Sequence, residues 1–221
     1  FEQSSAAGLY VTLFGRLEGF RENTFQNNAG VGLHIPAPQI GSLDVASSYL
    51  TGNGASYINV ASNDVTTDQT WRVTNAPLRL TGSSQITANV TVAPGVTLLF
   101  GSGAQLRVFG SMAAVGTTSA RIRMTGEQSV RGHWNGIEIN SSNSRNELAY
   151  VDLAYGGGGG LTSSANVIVT DFGRLTVRNS TFLESAGWGV FTTPFSVIIP
   201  SPLTAGGNTF TNNFRGPFNI P

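Results

Sequence analysis

The chain has 221 residues, 12 basic and 12 acidic, so its formal net charge is zero, and it contains no cysteine. A neutral chain with 11% charged residues offers little to nucleic acid or to an anionic membrane, and without thiols it forms no disulfide framework. With 28 glycines and 40% apolar residues it is not a charge-rich disordered chain, and its length suits one all-β domain spanning residues 1–221.

Every basic residue is arginine. That usage suits fork-shaped recognition of carboxylates or sulfates, and equally a GC-rich genome that encodes arginine by default. The longest apolar runs fall far short of the roughly 20 residues of a membrane span, so no membrane insertion is expected. The chain opens on Phe1 with no basic segment followed by an apolar one. It reads as a processed or excised piece whose export signal would have been removed.

In chain order, Leu9–Thr12 reads as a strand and is followed by Phe14–Leu17. Polar turn residues then separate Phe25 from Leu33 and Ile35. Further strand candidates are Leu43–Val45, Ile58–Val60, Trp71–Val73, Leu78–Leu80, Ile86–Val92, Val96–Phe100, Leu106–Phe109 and Ile122–Thr125. Later come Ile137–Ile139, Leu148–Leu153, Val167–Thr170, Leu175–Val177, Val190–Thr192, Val197–Ile199 and Phe218–Ile220. Each is rich in Val, Ile, Leu, Phe or Thr and is bounded by Gly, Asn, Ser or Pro, as strands are. No window carries the i, i+3, i+4, i+7 spacing of an amphipathic helix.

Two repeats run through this pattern. Ser5–Leu17 matches Ser163–Leu175, Arg21–Gly32 matches Arg178–Gly189, and Leu43–Val60 matches Leu203–Ile220, so residues 4–60 recur at 162–220. The chain therefore reads as one long unit plus the start of the next, from a parent with such units in tandem. A finer pattern is shared by Asn23–Asn28, Asn179–Ser185 and Asn208–Asn213: a buried Phe, a polar turn, then Gly. Aligning Val96–Phe100, Ile122–Thr125, Leu148–Leu153 and Leu175–Val177 as equivalents gives a period of 26 to 27 residues. Several short strands per period of that size are what one rung of a parallel β-helix needs. Glycine and asparagine suit its corners, where φ is positive, and stacked asparagines can form amide ladders.

The stretches Pro94–Gly126, Trp134–Ile137 and Leu148–Gly156 resemble the right-handed, pectate-lyase-like parallel β-helix repeats of secreted and surface bacterial proteins. The resemblance covers about Val90–Phe182. It implies an all-β, right-handed, single-stranded parallel β-helix of roughly eight or nine rungs, and an extracellular or cell-surface location. It does not choose a function, because such proteins include polysaccharide-active enzymes and adhesins.

The residues argue weakly for catalysis. The acids are scattered, without a D-x-D cluster or a calcium loop of alternating acids. The best candidate group is Glu138, Asp152 and Asp171 with Arg123 and Arg174. Carboxylates about 5–10 Å apart on one face could hydrolyse a glycosidic bond. The opposing reading is exposed rung residues that pair with arginines. His133 and His34 read as turn histidines, and Gly156–Gly160 as a flexible corner, since no Lys-Ser/Thr follows to complete a phosphate cradle.

Sugar stacking would fall to Trp71, Trp134 and Tyr155. Trp71 is expected to be the most exposed of them and Trp134 to pack at a rung corner. No cofactor or metal is expected. The expected partners are further copies of the chain or neighbouring repeat units, with polysaccharide as the alternative. The expected role is a non-catalytic stalk, adhesin part or assembly subunit, and the alternatives are a polysaccharide lyase or hydrolase, or a carbohydrate-binding module.

Overall fold

Alternating apolar and polar residues over three to five positions bury one side of each segment, and the turns between them bend the chain back to its start. The computed structural model describes residues 1–161 and 163–220, so the first residue of the second repeat copy and the last residue of the chain lie outside it. The chain winds into an all-β parallel solenoid of about eight turns. The described residues hold two short 3-10 helices, Ala37–Ser42 and Leu203–Gly206, and no α-helix.

Three parallel sheets make the three faces. Face one holds nine strands: β1 (Leu9–Tyr10), β2 (Leu33–Pro36), β3 (Ile58–Ala61), β5 (Leu78–Leu80), β8 (Thr97–Phe100), β11 (Ile122–Gly126), β14 (Val151–Ala154), β17 (Thr181–Leu183) and β20 (Thr209–Thr211). Face two stacks β4 (Gln69–Trp71), β7 (Asn89–Val92), β10 (Ser111–Val115), β13 (Glu147–Ala149), β16 (Arg174–Arg178) and β19 (Val197–Ile199). Face three stacks β6 (Ser84–Ile86), β9 (Gln105–Val108), β12 (Gly136–Ile139), β15 (Ala165–Val169), β18 (Trp188–Thr192) and β21 (Gly216–Asn219).

The inward positions form axial columns. Leu98, Met124, Leu153, Phe182 and Phe210 are successive register partners, so these turns take 26, 29, 29 and 28 residues. One continuous apolar cluster runs from Val11 to Leu203. Leu148 and Leu175 do not belong to the column expected for them. Leu148 lies on face two, where its partner is Val177, and Leu175 shares that face, with Ile198 as its partner. The corner from β13 to β14 is the single residue Tyr150, with φ 52°. No glycine breaks the apolar run there, so two faces read as one strand. Leu43–Val45, expected as a strand, is an irregular segment.

Aromatic rings reinforce the columns. Phe1 stacks on Phe25 at 4.8 Å and Phe25 on Tyr49 at 5.5 Å, while Phe182 stacks on Phe210 at 5.1 Å. Trp134 lies against Phe100 at 3.9 Å with the rings 5° from parallel, and its indole N–H donates to the Ala154 carbonyl. Corner asparagines satisfy backbone groups that the strands leave over. Asn53 donates to the carbonyls of Phe25 and Tyr49, and its Oδ1 accepts from the Asn28 backbone N–H and from Asn28 Nδ2. An amide ladder is thus present at this corner.

Gly156–Gly160 makes a corner, but its first residues are packed rather than loose. Gly156 N–H donates to Asn166 Oδ1, and the Gly156 carbonyl accepts from Gly132 and Ala186 on neighbouring turns. At Gly157, φ is 78° and a Cβ would lie 2.5 Å from Ser185 Oγ, so only glycine fits.

Candidate functional site

The residues expected to form a catalytic group are spread over the three faces. Glu138 is on β12 of face three, Asp152 on β14 of face one, and Asp171 in the turn that leaves β15. Arg123 lies on face one and Arg174 on face two. No hydrogen bond joins any two of the three carboxylates among the described residues.

Each carboxylate has partners of its own. Glu138 accepts from Gln105 Nε2 through Oε2 at 3.1 Å and from Asn140 Nδ2 through Oε1, and its Oε2 forms an ion pair with Arg107 Nε at 3.1 Å, while that Nε–H donates to Gln105 Oε1. Asp152 is gripped by Arg121, whose Nε lies 3.0 Å from both carboxylate oxygens and whose Nη2 lies 2.7 Å from Oδ1. Arg123 is the register partner of Asp152, yet Arg121 makes the ion pair. Asp171 accepts from the Thr193 hydroxyl. Arg174 Nε is buried without a hydrogen-bond partner.

The aromatic candidates fare differently from one another. Trp71, expected to be exposed, is fully buried. Its inward position on β4 stacks it in the column of Val92, and its indole N–H donates to Gln69 Oε1 at 3.0 Å. A single Trp in a short polar segment carries no sequence signal of inward facing. Trp134 is fully buried at its corner, as expected of a packing residue. Only Tyr155, half-buried with φ 63° beside the glycine corner, is open to solvent. No face gathers these three rings.

The histidines have structural surroundings. His133 accepts the Gly103 N–H through its carbonyl. His34 stacks under Tyr10 at 4.1 Å, and its Nδ1 lies 2.7 Å from Asn59 Nδ2. Burial holds the His34 imidazole below its ordinary pKa. Asn59 Oδ1 in turn accepts from Arg79, which pairs with Glu127 at 2.9 Å.

Surface depressions lie over faces two and three. A shallow groove of about 320 Å³ on face three is floored by Arg107, Glu138 and Ile168 and walled by Gly158, Gly159 and Leu161. A more polar cleft of about 510 Å³ lies over the first strands of face two, between Asp68, Gln69, Arg72, Asn89 and Arg145. It adjoins a space of about 600 Å³ lined by Phe14, Arg16 and Glu18, with which it shares Pro38, Ser42 and Thr67. Asp68 accepts three hydrogen bonds from Asn89, which hold its carboxyl below the usual range, with Arg145 adding to the effect. Sequence reasoning missed this cleft because its residues come from four separate turns.

Among the described residues, no group of three or more His, Asp or Glu side chains is placed to hold a metal ion. No helix among the described residues is long and apolar enough to cross a membrane. No family model matches the chain, and neither a curated protein nor a solved structure matches it.

Proposed function

We propose that this chain is a non-catalytic structural module of an extracellular or cell-surface protein. It is read as a right-handed β-helix of the bacterial pectate-lyase-like repeat family, serving as a rigid spacer or assembly subunit. The observation that carries this reading is what the outward carboxylates do. Glu127, Glu138, Glu147, Asp152 and Glu184 each pair with an arginine from another turn, three of them with the adjacent turn and Glu127 and Glu184 across two turns, so they clamp the turns together. A glycosidase needs two carboxylates facing one bond, one of them free to give up a proton. Glu138 and Asp152 instead face different sheets, each held as an acceptor of several donors.

The test is a screen of neutral and acidic polysaccharides for new reducing ends and for unsaturated uronides, with and without Ca²⁺. We expect neither product. Turnover that disappears in Glu138→Gln, with an unchanged circular dichroism spectrum, would overturn the reading.

One observation favours a second reading, a carbohydrate-binding module. The cleft over face two offers hydroxyls, amides, the Asp68 carboxylate and the side chains of Arg72 and Arg145, neither of which forms an ion pair within 4 Å among the described residues, although the Arg145 charge acts on Asp68. Binding of an acidic oligosaccharide by the native chain, lost in Arg145→Ala, would establish it.

A further inference from the structure

One outward column of face one links polar and aromatic side chains on consecutive strands. Tyr10, His34, Asn59 and Arg79, on β1, β2, β3 and β5, are successive register partners. The Tyr10 ring stacks on the half-buried His34 ring at 4.1 Å, 6° from parallel. From the next strand, Asn59 Nδ2 lies 2.7 Å from His34 Nδ1, and Asn59 Oδ1 accepts a hydrogen bond of 3.0 Å from Arg79 Nη1.

The far end of the column is fixed. Arg79 Nη2 lies 2.9 Å from Glu127 Oε2, and the guanidinium carbon lies 5.1 Å from the centre of the Tyr57 ring. The hydrogen bond to Glu127 holds the Arg79 pKa above its ordinary value, so the group stays charged. Among the described residues His34 forms no ion pair. The groups that face it are Tyr10 from β1 and Asn59 from β3, with Arg79, Tyr57 and Glu127 beyond Asn59.

A guanidinium only donates hydrogen bonds, so Asn59 turns its oxygen to Arg79 and its NH2 to His34. His34 Nδ1 is then the acceptor, and the neutral ring carries its proton on Nε2. An arginine two strands away thus sets the tautomer of the histidine.

We infer that this column is an acid-operated latch: a proton taken up at His34 Nδ1 breaks the link from His34 through Asn59 to Arg79, and with it an outer fastening of β2, β3 and β5. A protonated imidazole donates from both nitrogens. Its Nδ1–H meets the Asn59 NH2, donor against donor. Turning the amide over gives His34 an oxygen but sets the NH2 against Arg79. One of the two hydrogen bonds is lost whichever way the amide lies. Burial, which holds the His34 pKa below its ordinary value, acts in the same direction. The latch is closed while His34 is neutral and opens in acid. It goes beyond the structural reading, since it operates whether the chain is a spacer or a binder.

The test is nitrogen-15 NMR of the native chain, whose two histidines give a simple imidazole spectrum that His34→Gln assigns. At neutral pH the His34 signals should show a bare Nδ1 and a protonated Nε2. As the pH falls, the Asn59 side-chain amide and Arg79 guanidinium signals should shift with the His34 midpoint. A neutral ring protonated on Nδ1 overturns the inference, as do Asn59 and Arg79 signals that ignore the titration of His34.

Two variants separate the latch from a simple effect of charge. Arg79→Lys keeps a group that only donates and should keep the single tautomer. Arg79→Gln offers an oxygen as well as an NH2, so Asn59 is free to turn and the neutral ring should show both tautomers. Both tautomers in Arg79→Lys, or one alone in Arg79→Gln, with a native circular dichroism spectrum, overturn the part assigned to Arg79. If a variant fails to fold, the native spectra alone decide.

Discussion

Asn28 and Asn53 lie one above the other at a corner of the solenoid, with Asn28 Nδ2 2.8 Å from Asn53 Oδ1. The contact joins residues 25 apart in sequence and reinforces backbone bonds between the same two turns, from Asn27 N–H to the Thr51 carbonyl and from Gly54 N–H to the Asn28 carbonyl. Asn53 also donates to the carbonyls of Phe25 and Tyr49, so it closes the corner of its own turn and the one before. We expect Asn53→Leu to leave at least two buried backbone groups unpaired. At about 1–3 kcal/mol for each, the loss is roughly 2–6 kcal/mol. Urea denaturation measures it, and a change below about 0.5 kcal/mol would mean the amide ladder is not a structural fastening.

Trp134 is the largest ring of the middle turns and fills the corner against Phe100. Trp134→Ala should cost about 3–5 kcal/mol through the cavity it leaves. Trp134→Phe should cost less, since it keeps the stack and loses only the donor to the Ala154 carbonyl. Thermal melting of the two variants checks the order. Equal, small losses would place Trp134 at an open ligand surface instead.

Asp152→Ala removes a bidentate partner of Arg121, which also donates to the Asn179 carbonyl one turn further on. Both side chains keep about a third of their exposure, so the expected loss is about 1 kcal/mol and should shrink in high salt. The melting temperature at low and high ionic strength reads both effects.

Acid should weaken the fold in two steps. Burial lowers the His34 pKa from its ordinary value of 6.5, so the unfolded chain binds a proton before the folded one does. Stability attributable to His34 is therefore full above that value and falls as the pH drops below it. Asp68, through its hydrogen bonds from Asn89, and Glu184, through those from Asn212 and then Arg131, also titrate below their ordinary values. Their contribution is present above the carboxylate range and is lost as the pH falls through it. His34→Gln should remove the upper step of a stability-against-pH curve and leave the lower one.

Much of the architecture can be read from the residues, because inward columns need only alternation and Gly or Asn corners. The Phe, polar turn, Gly pattern at Asn23–Asn28, Asn179–Ser185 and Asn208–Asn213 already marks turns whose Phe rings stack on the turn next to them. What could not be read is which face a strand joins. Tyr150 turns the chain in one residue without a glycine, so Leu148 and Leu153 look like one strand although they lie on two faces. The surroundings of Trp71 and Asp152 are equally silent in sequence. The column around Trp71 and the grip of Arg121 both come from turns 20 to 31 residues away.

The claim that the turns form one continuous body is tested most directly by amide hydrogen exchange. We expect slow exchange throughout residues 96–178, lost together as one cooperative block. Central turns that exchange in separate blocks at unequal rates would contradict it.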